Sequence, residues 1–177
     1  MKIRFNRIIT PIEFDSVSEL YIATFPQQER RELIEIYKLI SEGEIFIYQI
    51  ITNKNTIAGF CIFWTFDEFI FVEHLAVNPE LRCFGIGEGT ISVLKEQSKI
   101  LILETELPVD EICKRRIKFY ERIGFKLLQR QYFQPSYGKT KPEVELKLMC
   151  TKADIIGEKL DEYILQIRKK VYRSISS

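Results

Sequence analysis

The sequence predicts a single α/β domain with a mixed, mostly antiparallel sheet of six to seven strands flanked by helices. The chain has 177 residues, which is the length of one ordinary domain. Three β-branched and aromatic runs between 45 and 77 are separated by short turns, and this spacing predicts antiparallel hairpins. The stretch 69–104 then follows a strand–helix–strand pattern, which requires one parallel pair within the same sheet.

The N-terminal part predicts one strand and two helices. Residues 2–7 alternate between apolar and polar side chains, as a short strand does. Pro11 opens a helical pattern that continues to about Phe25, and Pro26 ends it. A second helix is predicted over about 29–41, where apolar residues recur at helical spacing.

The middle of the chain predicts three hairpin strands, a helix and a buried strand. The strands cover 45–51, 56–66 and 69–77, the helix runs over about 88–97, and the fully apolar strand covers 100–103.

The C-terminal part predicts a helix that starts after the N-cap Asp110, strands over 125–133 and 143–148, and a last amphipathic helix. Thr151 and Asp154 have the spacing of a capping box for that last helix. We divide the chain into a domain over 1–150 and a C-terminal helix over 151–177. This helix packs either on the domain or on a second subunit, so monomer and homodimer both stay open.

Composition excludes several classes of function. The chain has 26 Lys and Arg against 25 Asp and Glu, a net charge of +1, so no electrostatic attraction to nucleic acid or an anionic membrane is expected. Four scattered cysteines and one histidine do not form a zinc motif and fit a reducing compartment. The longest apolar run, 57–64, is far shorter than a membrane span. We therefore predict a cytoplasmic protein with no metal, nucleic-acid partner or membrane partner.

The densest functional signal is the segment from Val77 to Gly87, where a strand ends, a loop with two glycines follows and a helix begins. Glycines let backbone N–H groups approach a ligand, and a helix N-terminus adds partial positive charge, so this segment predicts a pyrophosphate site. Gly85 and Gly87 also fit the start of a dinucleotide fingerprint. However, Thr90 stands where that fingerprint needs Gly or Ala, and hairpins precede the loop where βαβ units are needed.

Two segments resemble the GNAT superfamily of N-acetyltransferases. Residues 82–87, Arg-Cys-Phe-Gly-Ile-Gly, match the signature Gln/Arg-x-x-Gly-x-Gly/Ala, and the preceding HLAVNPELR is similar to that family's strand-to-loop sequence. Residues 117–125, IKFYERIGF, resemble the family's helix with the pattern Phe-Tyr-Glu-x-x-Gly-Phe. The resemblance covers about 45–149, with the two motifs in the family's order.

The resemblance implies that acetyl-CoA binds where strands 69–77 and 100–105 splay apart, beside a β-bulge in the first of them. Backbone groups of the first strand would pair with the pantetheine arm, and amides of the glycine loop would hold the pyrophosphate. The implied cofactor-binding residues are Leu75, Ala76, Val77, Arg82, Cys83, Phe84, Gly85, Ile86, Gly87 and Glu88. Two positions depart from the family: Cys83 replaces a common Gly, and Cys113 replaces a common Asn. A positive φ at Cys83 would cost about 1 kcal/mol or more.

The activity implied by the resemblance is direct acetyl transfer from acetyl-CoA to an amine, which belongs to a small molecule, an amino-acid derivative, a peptide or a protein. The family's motif tyrosine, here Tyr120, would donate a proton to the leaving thiolate, and the Leu75 amide could stabilise the oxyanion. A catalytically inactive CoA-binding module, motivated by the two departures, is the alternative.

The sequence offers several candidates for the base that removes the amine proton. Glu73 leads, since it lies two residues before Leu75 and is expected to share its face of the strand. Glu104 and Glu106 are rivals that could bind or deprotonate a cationic amine, while His74 is expected to pack or lie at the surface.

Arg30 or Arg31, in the connection between the first two helices, could bind a carboxylate of the acceptor.

Overall fold

A computed structural model describes residues 2–98, 100–137, 141–152 and 154–172. Within these residues, eight strands form one sheet and five α-helices flank it. The strands are β1 (Ile3–Ile8), β2 (Phe46–Thr52), β3 (Ile57–Thr65), β4 (Ile70–Val77), β5 (Leu101–Glu106), β6 (Lys126–Leu127), β7 (Tyr132–Gln134) and β8 (Val144–Cys150). The helices are α1 (Pro11–Thr24), α2 (Leu33–Ser41), α3 (Ile86–Gln97), α4 (Glu111–Arg122) and α5 (Gly157–Val171).

The strand order is β1-β2-β3-β4-β5-β8-β6, and β7 also pairs with β8. Every pair is antiparallel except β4 with β5, which is parallel. The predicted α/β class with a mixed, mostly antiparallel sheet is therefore confirmed. The predicted strand over 125–133 is two short strands, β6 and β7, and this division gives the sheet its eighth strand.

Strands β4 and β5 pair over a short length and then separate. Ile70–Val72 pair with Leu101–Leu103, and beyond this point β5 pairs with β8 alone. The remainder of β4, from Glu73 to Val77, has no strand beside it on that edge among the described residues. The predicted splay is confirmed, and it opens the middle of the sheet.

A β-bulge interrupts β4 at the point where the strands separate. Ile62 of β3 pairs with His74, whereas the next residue, Phe63, pairs with Val72. Glu73 is thus an extra residue between two regular pairs. A bulge of this kind bends the strand and changes the direction of its side chains.

Because of the bulge, Glu73 and His74 lie on the same face of the sheet. The Glu73 carboxylate accepts a hydrogen bond from Trp64, and the His74 ring packs on Phe25, with 4.2 Å between ring centroids. Leu75 packs against the cluster on the opposite face. The expectation that Glu73 and Leu75 share a face, which assumed regular alternation, is wrong.

Helices cover both faces of the sheet. Buried side chains of α1, α2 and α5 belong to one core cluster, and Ile91, Leu94, Ile117 and Tyr120 of α3 and α4 belong to a second cluster on the other face. The first cluster includes Leu160, Tyr163, Ile167 and Val171 of α5. Within the described residues, no helix combines the length and apolar character needed to cross a membrane.

The helix starts show where local sequence signals hold. Asp110 caps α4 as predicted, since its carboxylate accepts the Cys113 N–H at 2.8 Å.

The predicted capping box for the last helix is wrong, because Thr151 Oγ1 instead accepts the N–H of Leu101. Helix α5 begins later, at Gly157, without a side-chain cap. The second helix also starts later than predicted, and Gln27–Glu29 form a separate 3₁₀ turn.

Candidate active site

A cavity of about 950 Å³ lies where β4 and β5 separate. One end is formed by the end of β4, the glycine loop and α4, and the other by β5, β7 and the segment after α1. Its lining includes Leu75, Ala76, Val77, Arg82, Cys83, Gly85, Ile86, Gly87 and Glu88 at the first end, and Phe25, Glu29, Glu73, His74, Glu104, Glu106, Gln134 and Tyr137 at the second. The glycine loop and the candidate carboxylates thus line the same cavity.

The glycine loop presents free amides to the cavity. Gly85 is the N-cap of α3 with φ +77°, and no side chain caps this helix. The first hydrogen bond within α3 runs from the Gly89 N–H to the Gly85 carbonyl. The amides of Ile86, Gly87 and Glu88 therefore lack helical acceptors and carry the partial positive charge of the helix end. This arrangement suits a phosphate group.

Cys83 has a backbone conformation that L-residues rarely adopt. Its φ is +66°, and its side chain is exposed. The residue where the family commonly carries Gly thus does require a positive φ. Left-handed backbone costs a non-glycine residue about 1–2 kcal/mol, and the extra chain entropy lost by glycine offsets part of the gain from a replacement.

We expect Cys83→Gly to raise the free energy of unfolding by up to about 1 kcal/mol. Denaturant titration of both proteins measures the change. Asn55→Gly is a comparison at φ +61°, outside the cavity. A smaller gain is expected there because Asn tolerates this region and because glycine loses the hydrogen bond that Asn55 Oδ1 accepts from Arg4. A loss of stability in Cys83→Gly would contradict this description of the loop.

Charge divides the cavity into two ends. Basic side chains gather around the glycine loop and α4, namely Arg82, Arg115, Arg116, Lys118 and Arg122. Four carboxylates gather at the other end, namely Glu29, Glu73, Glu104 and Glu106, whereas Glu88 is the one carboxylate of the lining beside the glycine loop. Arg116 forms an ion pair with Glu106 where the two ends meet. An anion is favoured at the first end and a cation at the second.

The carboxylate of Glu73 is buried and fully paired. Its Oε1 accepts hydrogen bonds from Arg31 Nε at 3.1 Å and from the Tyr137 hydroxyl at 2.7 Å. Its Oε2 accepts the Trp64 indole N–H at 2.6 Å. Burial alone would raise the pKa of Glu73, but Arg31, His74 and these hydrogen bonds together hold the pKa below its ordinary value. Glu73 is thus kept as an anion within an ion pair.

Glu104 has a different environment. The Tyr132 hydroxyl donates to its Oε1, and the Tyr172 hydroxyl donates to its Oε2 at 2.7 Å. The side chain is half-buried, and no cation pairs with it among the described residues. Burial raises the pKa of Glu104 to about 7, against the lowering effect of the two phenols. A carboxylate with this pKa can take up and release a proton near neutral pH.

Tyr120 lies at the end of α4 and lines the same cavity. Its ring packs against Phe119 and Phe125, with centroids 5.1 Å and 5.5 Å away. No group in the described part of the chain accepts a hydrogen bond from its hydroxyl. Burial raises the pKa of Tyr120, so the phenol stays protonated at neutral pH. It can therefore donate a hydrogen bond into the cavity.

Two buried polar atoms of the cavity lining lack a hydrogen-bond partner among the described residues: His74 Nε2 and Thr105 Oγ1. Burial lowers the pKa of His74 to about 4, so its imidazole is neutral. An unpaired buried polar atom is uncommon and destabilising, and a bound ligand is one way to satisfy it. His74 is thus a packed residue, as expected, with one free ring nitrogen.

Not every predicted site residue lines the cavity. Phe84 is exposed and absent from the lining. Arg30 is also absent, and its Nε donates to the Phe25 carbonyl. Sequence reasoning missed Glu29, which lines the cavity from the same connection as Arg30. It also missed the tyrosines around the two carboxylates: Tyr132, Tyr137 and Tyr172. In the sequence, no local pattern marks these four residues.

Comparison with known proteins gives a consistent result. The model of the acetyltransferase (GNAT) family matches residues 14–125. YjbC of Bacillus subtilis (strain 168), named as a candidate acetyltransferase, is 30% identical over an alignment of 154 residues that covers 85% of this chain and 76% of YjbC.

Solved structures agree with this result. A candidate acetyltransferase of the GNAT family from Bacteroides thetaiotaomicron is 36% identical, with a TM-score of 0.83 over 96% of this chain and 98% of its own. Arabidopsis thaliana NAA60 in complex with acetyl-CoA shares the fold at 16% identity, with a TM-score of 0.63 over 84% of this chain and 97% of its own. The chain belongs to the GNAT acetyltransferase family, as these matches show, and its glycine loop and splayed strands agree with this assignment.

Proposed function

We propose that the protein transfers the acetyl group of acetyl-CoA directly to the nitrogen of a cationic amine. The observation that carries the proposal is the division of charge along one cavity, which runs from the free amides of the glycine loop to the carboxylates beside β5. The basic end suits the phosphates of the coenzyme. The acidic end suits an ammonium group.

The coenzyme is proposed to lie against the free edge of β4. The backbone of Leu75–Val77 would pair with the pantetheine arm, and the amides around Cys83–Glu88 would hold the pyrophosphate. NAA60 gives an example of the same fold in complex with acetyl-CoA. Arg115 and Lys118, which line the basic end, add positive charge for the remaining phosphate.

We propose Glu104 as the general base. An alkylammonium with a pKa of about 10.4 is deprotonated in only about one molecule in several hundred to a few thousand at pH 7–8, so a base is needed. Glu104 is free of ion pairs in the described structure and has a pKa of about 7. Phenol hydroxyls donate to both oxygens of Glu104, but Glu73, the leading candidate from sequence, is in addition ion-paired with Arg31, and its pKa is lowered. These contacts favour Glu104 as the base and a structural role for Glu73.

Tyr120 is proposed as the acid. After the nitrogen attacks the thioester carbonyl, the C–S bond breaks, and the thiolate of the coenzyme accepts the phenol proton. The second proton that the nitrogen loses as the amide forms restores the phenol, so that one proton in all leaves through Glu104. The hydroxyl of Tyr120 is protonated and has no acceptor among the described residues, so it is available for this step. The Leu75 amide would stabilise the oxyanion, since this part of β4 has a free edge.

An amine panel tests the proposal. Purified protein is mixed with acetyl-CoA and, separately, with diamines, polyamines, monoamines, amino acids and short peptides, and thiol release is recorded. Mass spectrometry of the product identifies N-acetylation. We expect turnover to be fastest with acceptors that carry two or more ammonium groups. Coenzyme binding without turnover across the panel would instead indicate a CoA-binding module.

Glu29 is expected to select for a second positive charge on the acceptor. It lines the acidic end, and no ion pair or side-chain hydrogen bond joins its carboxylate to another described residue. Burial and the nearby Glu106 carboxylate raise the pKa of Glu29, so a bound cation would stabilise its ionised form.

We expect Glu29→Gln to raise the KM for a diamine about five- to tenfold, because one charge-assisted contact is lost. The KM for a monoamine of similar length should change less than about twofold. Steady-state kinetics on both acceptors, with Glu42→Gln as a control on an exposed carboxylate outside the cavity lining, measures the difference. Equal effects on both acceptors would count against a second cation site.

A further inference from the structure

The end of α5 brings a tyrosine into the candidate active site. Tyr172 follows the last residue of α5 and is 2% exposed. Its hydroxyl donates to Glu104 Oε2 at 2.7 Å, while the Tyr132 hydroxyl donates to the other oxygen. Each oxygen of Glu104 is therefore held by one phenol. One phenol comes from β7, and the other comes from the C-terminal helix.

We propose that Tyr172 is a positioning residue for acetyl transfer: helix α5 delivers its hydroxyl to Glu104, and together with Tyr132 it fixes the orientation of the base. This inference rests on the proposed role of Glu104. It extends the active site beyond the part of the chain that matches the family model, which ends at residue 125.

A buried set of contacts anchors Tyr172. Arg31 Nη2 donates to the carbonyl of Val171, the residue before Tyr172, while Arg31 Nε pairs with Glu73 at 3.1 Å. The ring of Tyr172 lies beside that of Tyr137, with 5.2 Å between centroids. Because Arg31 and Glu73 are both buried, the ion pair has few alternative arrangements. The bulge residue Glu73 thus holds the arginine that fixes the end of α5.

The phenols also act on the charge of Glu104. Each donates to the ionised form of the carboxylate, and this donation lowers its pKa, whereas burial raises it. The nearby charges of other carboxylates raise it further. The titratable and charged groups that face Glu104, directly or through Tyr132, are Tyr132 of β7, Tyr137 after β7, Tyr172 after α5, Glu73 of β4, Glu29 before α2 and Arg168 of α5.

The pH profile of kcat/KM for Tyr172→Phe tests the inference. The variant lacks one hydrogen bond to the ionised Glu104 carboxylate, so the pKa of Glu104 should rise. The acidic limb of the profile should therefore move to higher pH by about one unit. Activity should fall about tenfold at pH 6.5 and less than about threefold at pH 9. Tyr163→Phe is the matched control: the same helix carries this buried ring, but its hydroxyl donates to Glu68, away from the cavity.

Replacement of Tyr172 by 3-fluorotyrosine gives an independent test that preserves the shape of the side chain. A more acidic phenol donates a stronger hydrogen bond to Glu104 and lowers its pKa, so the acidic limb should move to lower pH by a few tenths of a unit. Thermal unfolding checks that each variant is folded.

An acidic limb that moves no more in Tyr172→Phe than in Tyr163→Phe would overturn the inference while leaving the proposed function intact. Absence of acetyl transfer by the wild-type protein across the amine panel would overturn the proposed function and the inference together. If the acidic limb moves to higher pH in Tyr172→Phe and to lower pH in the fluorotyrosine protein, the result would support both the inference on Tyr172 and the proposed function.

Discussion

Glu104→Gln is expected to lower kcat by about 10²–10⁴-fold, the range that a positioned acid or base contributes. Glutamine can keep a polar contact with Tyr132 and Tyr172 but cannot take a proton from the acceptor amine. The wild-type protein should gain activity as pH rises through about 7, because Glu104 acts in its ionised form. Steady-state rates from pH 5.5 to 9.5 measure this limb, which should be missing from the variant profile.

Glu106→Gln is the matched control for this prediction. Glu106 lies two positions after Glu104 on the same strand, and its carboxylate already forms an ion pair with Arg116. A loss of less than about tenfold is expected there. If Glu104→Gln kept activity within threefold of wild type, the proposed base would be wrong.

Stability gives a second check on Glu104. The pKa in the folded protein is about 7, above the ordinary value of 4.5, so between these values the folded state binds more protons than the unfolded state. Wild-type stability should therefore fall as pH rises from about 4.5 to 7. Glu104→Gln should remove this trend and be at least as stable as wild type at pH 8, so its loss of activity would not result from unfolding.

Glu73→Gln is expected to lower the free energy of unfolding by about 3–5 kcal/mol, because it leaves the Arg31 guanidinium buried without its counter-charge. Denaturant titration at pH 7 measures the loss. The double variant Arg31→Met/Glu73→Gln should recover part of it, since no buried charge is then left unpaired. Glu42→Gln, which breaks an exposed pair with Lys38, should cost no more than about 0.5 kcal/mol.

The pH dependence of Glu73 has the opposite sign to that of Glu104. Its pKa is lowered in the folded protein, so its stabilisation is present above the unfolded-state pKa and is lost as pH falls through the folded-state value. If Glu73→Gln were as stable as wild type but had lost turnover, Glu73 would be the base, as first predicted from the sequence.

Most helices and strands could be predicted because their signals are local. Hairpin turns, apolar periodicity and the Asp110 cap each involve neighbouring residues, and the structure confirms them. The glycine loop could be predicted for the same reason, since one contiguous segment supplies its free amides. The start of α5 was mispredicted because Thr151 makes a long-range hydrogen bond to Leu101 instead of a local cap.

The carboxylate environments could not be predicted from local sequence. Glu73 is 42 residues from Arg31 and 64 from Tyr137, and Glu104 is 68 residues from Tyr172. The bulge that turns Glu73 toward Arg31 has no marker in the run Phe-Val-Glu-His. The sequence therefore identifies the candidate carboxylates, but the preference for Glu73 over Glu104 as the base was made without knowledge of the side chains that contact each of them.

A thermal-shift titration with acetyl-CoA, CoA and NAD tests the central claim most directly, namely that the opening between β4 and β5 is a coenzyme A site. Ligand at about 100 times its Kd should add ~2.7 kcal/mol, which raises Tm by roughly 5–10 °C for a chain of this size. Acetyl-CoA and CoA are expected to give this rise and NAD to give none. A rise with NAD alone, or no rise with either coenzyme A species at millimolar concentration, would contradict the claim.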